Sequence, residues 1–210
     1  MRFIQAWSYV CANHLMVQMN EKHVKRRVYY FGFQVIIGAL VKGAVLVASA
    51  LLLGALIPTL AILAVFVSIR VIAGGYHMNT YGKCIIVSAG LFLLAGCTVQ
   101  YTYLFWGLEH VLPFVLLTFL TSLLLIIRYA PSDTPNRPIT KPEEIKKFRM
   151  LSIIYVFIWL AVIITLTCFK LYMLVLSGCF GLLLESFVIT PAAYKFFDRL
   201  SGKVDKIVNI

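Results

Sequence analysis

Apolar residues run along this chain in six long blocks, each ended by a short polar or glycine- and proline-bearing segment. The blocks occupy residues 29–54, 58–73, 84–106, 109–128, 149–168 and 171–190. A helix needs roughly 20 apolar residues to cross a bilayer, and in hydrocarbon a lone segment satisfies its own backbone groups only as a helix. The pattern therefore predicts an all-α integral membrane protein with six transmembrane helices in one domain. Pro58 falls in the first turn of the second helix, where its missing N–H costs little. Ahead of the blocks, Phe3, Ile4, Trp7, Val10, Cys11, Leu15 and Met19 recur at helical spacing before a basic cluster. Residues 1–27 are accordingly expected to form an amphipathic helix on the membrane surface. The 129–148 segment carries Pro131, Pro135, Pro138 and Pro142 and is expected to be an extended loop. Residues 191–210 are expected to form a cytosolic tail.

Composition removes the soluble alternative. The chain is 61% hydrophobic and 13% charged, with a mean hydropathy of +0.93, against about 45–50% and about 25% for soluble domains. Charge then sets an orientation. Nearly all Lys and Arg fall on one side of the predicted bundle: before residue 28, at Arg70 and Lys83, between Arg128 and Arg149, and after Lys195. The other side holds Lys170, and Lys42 lies within the first span. The basic side, with both termini, is expected in the cytosol. A net charge of +11 suits anionic lipid headgroups. The scatter of basic residues among membrane loops gives no nucleic-acid motif. Of the five cysteines, Cys97, Cys168 and Cys179 sit in apolar runs as packing residues, and no metal-binding spacing occurs. No metal or cofactor is expected.

The break between the second and third helices carries the most chemistry. It reads Arg70-Val71-Ile72-Ala73-Gly74-Gly75-Tyr76-His77-Met78-Asn79-Thr80-Tyr81-Gly82-Lys83-Cys84. The helix before it, drawn as 58–73, spans about 24 Å, short of a hydrocarbon core of roughly 30 Å, so this segment is expected to dip into the membrane boundary. A thiol attacks as its thiolate and needs a base, positive charge or helix N-terminus beside it. Cys84 opens the third helix, His77 is a base suited to neutral pH, and Lys83 and Arg70 bring positive charge. Seven helical residues separate partners by about 10.5 Å, so Gly75 and Gly82 must let the segment fold back. Cys11 and His14, at i and i+3, form a second pair with easier geometry. Glu185, ionisable and near the end of the sixth span, and Asn79 are candidates for orienting the imidazole or touching substrate. Glu185 and Lys42 within spans equally support a small transporter or channel.

The stretch from Arg70 through Gly74-Gly75-Tyr76-His77 to Cys84, with the later Tyr129-Ala130-Pro131-Ser132-Asp133-Thr134-Pro135-Asn136-Arg137-Pro138-Ile139, resembles the AgrB (accessory gene regulator B) family. Chain length and hydropathy profile share the likeness. The resemblance implies a cysteine endopeptidase of the bacterial plasma membrane that removes the C-terminal part of an AgrD-type propeptide and closes a thiolactone or lactone ring. Carried over by position, Cys84 is the nucleophile, His77 the base, and Arg70 and Gly75 supporting residues. The family also implies a possible homodimer.

Overall fold

The computed structural model describes residues 2–19, 25–76, 81–132 and 141–200. Among these the chain forms α1 (Arg2–Gln18), α2 (Arg26–Leu52), α3 (Leu56–Ala73), α4 (Tyr81–Thr102), α5 (Leu108–Tyr129), α6 (Pro142–Cys168), α7 (Tyr172–Val188) and α8 (Pro191–Leu200), with a 3-10 turn at Tyr103–Phe105 after α4. Helices α2 to α6 are each long and apolar enough to cross a membrane, α4 counting with its 3-10 turn. A sixth span arises if α7 and α8, which meet at 82°, count as one broken crossing. The chain is thus an all-α, multi-pass membrane protein, as the block pattern predicts.

Three departures have local causes. Helix α6 begins at Pro142, so the loop expected over 129–148 ends earlier. Pro142 occupies the first helical position, where it has no N–H to lose, and Glu143 and Glu144 favour the positive end of the helix dipole. The expected tail forms α8 up to Leu200, and residues 201–210 lie outside the described residues. Thr190 starts α8 by accepting the Ala193 N–H on its hydroxyl at 3.2 Å, with Pro191 next. Helix α1 forms, but it buries Ile4, Ser8, Ala12 and Met16, whereas Phe3, Trp7, Val10 and Met19 of the expected stripe are exposed. Helix α1 packs against α2.

The centre of the bundle is the pair α3 and α7. Helix α7 is buried along most of its length, and a Cβ on its Gly181 would lie 2.8 Å from the Ile62 carbonyl oxygen of α3. A small residue there lets the two backbones approach, the usual basis of helix packing in lipid. Helices α5 and α6 close one flank, where the Trp159 indole donates to the Gly178 carbonyl at 3.2 Å. Helices α2 and α4 close the other around Leu46, Ile62, Phe92 and Leu176. Outward residues such as Ile86, Leu94 and Leu124 are exposed, as a lipid-facing surface requires.

Candidate active site

Helix α3 stops at two glycines that no other residue could replace without strain. Gly74 and Gly75 have φ of 77° and 125°, conformations that residues with a Cβ rarely adopt. The backbone they release pairs with the segment after α5. Gly74 and Ser132 form a parallel bridge, the Ser132 N–H donates to the Ala73 carbonyl at 2.8 Å, and the Gly75 N–H donates to the Ser132 carbonyl at 3.3 Å. A Cβ on Gly74 would come within 2.2 Å of the Ser132 carbonyl oxygen. Non-helical backbone at a membrane protein's core is thereby covered by protein. The two motifs singled out in the sequence, 70–84 and 129–139, meet at this point.

Beneath the glycines lies a buried ion pair. The Arg70 Nη1 donates to Glu185 Oε2 at 3.1 Å, Nη2 donates to the Tyr76 carbonyl, and the guanidinium lies 5.3 Å from the Phe66 ring centroid. Glu185 is wholly buried, and its second oxygen, Oε1, has no hydrogen-bond partner among the described residues. A Cβ on Gly75 would stand 2.9 Å from Arg70 Nη1 and 3.5 Å from Glu185 Oε1. Arg70, Gly75 and Glu185, each singled out from sequence, are therefore in mutual contact range. Glu185 pairs with Arg70, and Lys42 lines the neighbouring cavity.

Tyr76, the residue bonded to His77, is fixed by three elements. Its N–H donates to the Val188 carbonyl at 3.5 Å and its hydroxyl donates to Asp198 Oδ1 at 2.8 Å. Its ring stacks on Phe197 at 5.3 Å and meets the Tyr194 ring edge-on at 5.1 Å. The Tyr194 hydroxyl in turn bonds the Ser132 hydroxyl at 2.7 Å, and Arg149 Nε holds the Ala130 carbonyl at 2.9 Å. Helix α8 and residues 130–132 thus clamp the entry to the 77–80 segment. Sequence reasoning missed this clamp. Its one local signal was Thr190-Pro191, a helix start, ahead of the aromatic residues Tyr194 and Phe197.

Cys84 sits in the first turn of α4, half-buried, on the wall of a cavity of about 110 Å³. Arg70, Tyr76 and Lys42 share that wall. The Ser88 hydroxyl donates to the Cys84 carbonyl one turn on. His77 and Asn79 lie outside the described residues, as do residues 133–139 of the second motif. Covalent connectivity ties His77 to Tyr76, which lines the same cavity as Cys84. The second pair fares differently. His14 is exposed and bonds Gln18 at 3.1 Å, and neither it nor Cys11 lines this cavity.

The family model for accessory gene regulator B matches residues 8–189 of the chain. An accessory gene regulator protein B of Staphylococcus intermedius is 31% identical over 178 residues, covering 84% of this chain and 88% of that protein. A protein named as AgrB-like, from Listeria innocua, is 25% identical over 176 residues, 84% of this chain and 82% of its own length. No solved structure matches the chain significantly.

Proposed function

Because the chain belongs to the accessory gene regulator B family, we propose that it is a membrane-embedded cysteine endopeptidase that cleaves an AgrD-type propeptide and closes its N-terminal product into a ring. Membership itself gives the chain a role in this quorum-sensing system, in propeptide processing, with the propeptide as its partner. The observation that carries the finer reading is the shared cavity. A thiol at a helix start, an arginine and the residue bonded to His77 line one enclosure.

In this reading the Cys84 thiolate attacks the scissile carbonyl, so that a C–S bond forms as the C–N bond breaks. His77, having taken the thiol proton, delivers it to the departing amine. A thiol or hydroxyl of the bound peptide then attacks the thioester carbonyl. Its proton passes through His77 back to the Cys84 sulfur, and the product is a thiolactone or lactone. Exchange of one thioester for another is nearly balanced, whereas hydrolysis runs downhill, so the site must exclude water. A cavity walled by Phe66, Phe92 and Leu184 favours the ring over the acid. Arg70 and Gly75 hold the segment that leads into His77. Glu185 Oε1, buried and without a hydrogen-bond partner among the described residues, supports a positioning role for Glu185 toward the imidazole. The basic residues gathered at this end favour a site on the cytosolic face of a bacterial plasma membrane.

Acid quenching of the purified protein with an AgrD-type propeptide that it processes tests the acyl-enzyme. Intact mass should show an adduct equal to the N-terminal product, borne on Cys84 and released by hydroxylamine. Cleavage with an adduct on another residue, or with an unchanged Cys84, would contradict the mechanism.

A further inference from the structure

The cavity beside Cys84 is shaped by one face of α4. Cys84, Val87, Ser88 and Leu91 all line it and stand at i, i+3, i+4 and i+7, so they share that face. The thiol is at the outer end of this row, and the row runs inward along the span. Across from it are Phe66, from α3, and Leu184, from α7, with Phe92 edge-on to Phe66 at 5.0 Å. Tyr76 and Phe197 stand at the wall nearest the clamp. An engineered apolar cavity of about 150 Å³ takes benzene, so about 110 Å³ suits a branched aliphatic or single-ring group better than an indole.

We infer that this cavity is the seat for one large apolar side chain of the peptide substrate, on the residue whose carbonyl Cys84 attacks. The inference rests on the peptidase reading above and adds the substrate class. The side chain of the attacked residue branches one bond from the carbonyl carbon, so it must lie within a few ångströms of the sulfur, and Cys84 itself lines the cavity. It also stays bound through both acyl-transfer steps, while the residue beyond the scissile bond departs after the first. Holding it in an apolar seat keeps the thioester in place for the internal nucleophile. Lys42 and Arg70 also line the cavity, and their positive charge disfavours a cationic side chain.

The test is a bump-and-hole exchange in co-expressed full-length protein. The propeptide's cleavage point is located by product mass, and the residue on its acyl side is changed in turn to Ala, Leu, Phe, Trp, Lys and Glu. Wild type should cleave the Leu and Phe forms at least about tenfold faster than Ala, and should leave Trp, Lys and Glu nearly uncut. Leu91→Ala should gain cleavage of the Trp form, and Leu91→Trp should shift preference to Ala. Labelling of Cys84 by methyl methanethiosulfonate in each variant reports a folded site, and if Leu91→Trp fails it, the gain of function in Leu91→Ala carries the test alone. Cys84-dependent cleavage whose side-chain preference ignores Leu91→Ala would overturn the inference and leave the peptidase reading standing. So would a preference for Glu, or one that follows the residue beyond the scissile bond. Cleavage that survives Cys84→Ala would overturn both.

Discussion

The two ends of the bundle are built on opposite plans. At the end bearing Cys84, broken backbone is covered by protein, and charge is buried: Glu185 is 0% exposed and paired with Arg70. At the far end the helices are joined by tight turns around Leu53–Gly54, Tyr103–Phe105 and Phe169–Lys170. Large apolar residues there, such as Leu52 at 89% and Phe105 at 82%, are left outside. The far end also has an acid and an imidazole in contact, Glu109 and His110 at 3.2 Å, beside a hollow of about 430 Å³, larger than the cavity at Cys84. Both side chains are mostly exposed, 72% and 65%. An exposed pair of this kind is worth roughly 0–1 kcal/mol. Size and pairing alone therefore do not mark a site. What distinguishes the Cys84 end is that ionisable groups and irregular backbone are held out of water by surrounding structure, a cost that a merely connecting turn never incurs.

That contrast can be broken in order of effect. Arg70→Met leaves Glu185 buried without its partner and should cost about 3–5 kcal/mol of stability, read by thermal unfolding in detergent. The double variant Arg70→Met/Glu185→Met should recover most of that stability and still fail to process propeptide, which separates folding from positioning. Gly75→Ala places a Cβ against the Arg70 guanidinium at a left-handed φ and should cost about 1–3 kcal/mol, with loss of processing in folded protein. Tyr76→Phe removes the hydroxyl bonded to Asp198 and should cost about 1 kcal/mol, roughly a fivefold drop in processing if the clamp positions the 77–80 segment. At the far end, Glu109→Ala should stay within about 0.5 kcal/mol of wild type and process normally. A large effect there would erase the distinction between the ends.

The fold was legible wherever it depended on local pattern. Apolar block lengths gave the crossings, and the glycines at 74–75 marked the break. Legibility failed where two signals competed. Four prolines argued for loop over 129–148, yet Pro142 is a helix start because Glu143 and Glu144 follow it. Residues 191–200 follow the last apolar block and so fall in the expected tail, although Ala193 and Phe197 are buried. In α1 a helix forms, but most of the stripe expected from spacing is exposed, because spacing does not say which face is buried. The candidate site was half legible. Arg70, Gly75, Cys84 and Glu185 each announced themselves by chemistry, but nothing in the sequence pairs Arg70 with a carboxylate 115 residues away. Nor does it pair Tyr76 with Asp198, 122 residues on. Long-range partners depend on how α3, α7 and α8 cross, and that is set by packing.

The central claim, that Cys84 is the nucleophile at this end of the bundle with His77 as its base, is tested most directly by co-expression with a C-terminally tagged propeptide. Wild type, Cys84→Ala and His77→Ala are compared by gel and mass, with Cys11→Ala as the control from the second cysteine–histidine pair. The account predicts tag release by wild type and Cys11→Ala, and none by the Cys84 or His77 variants at equal protein level. Release that persists in Cys84→Ala would contradict it.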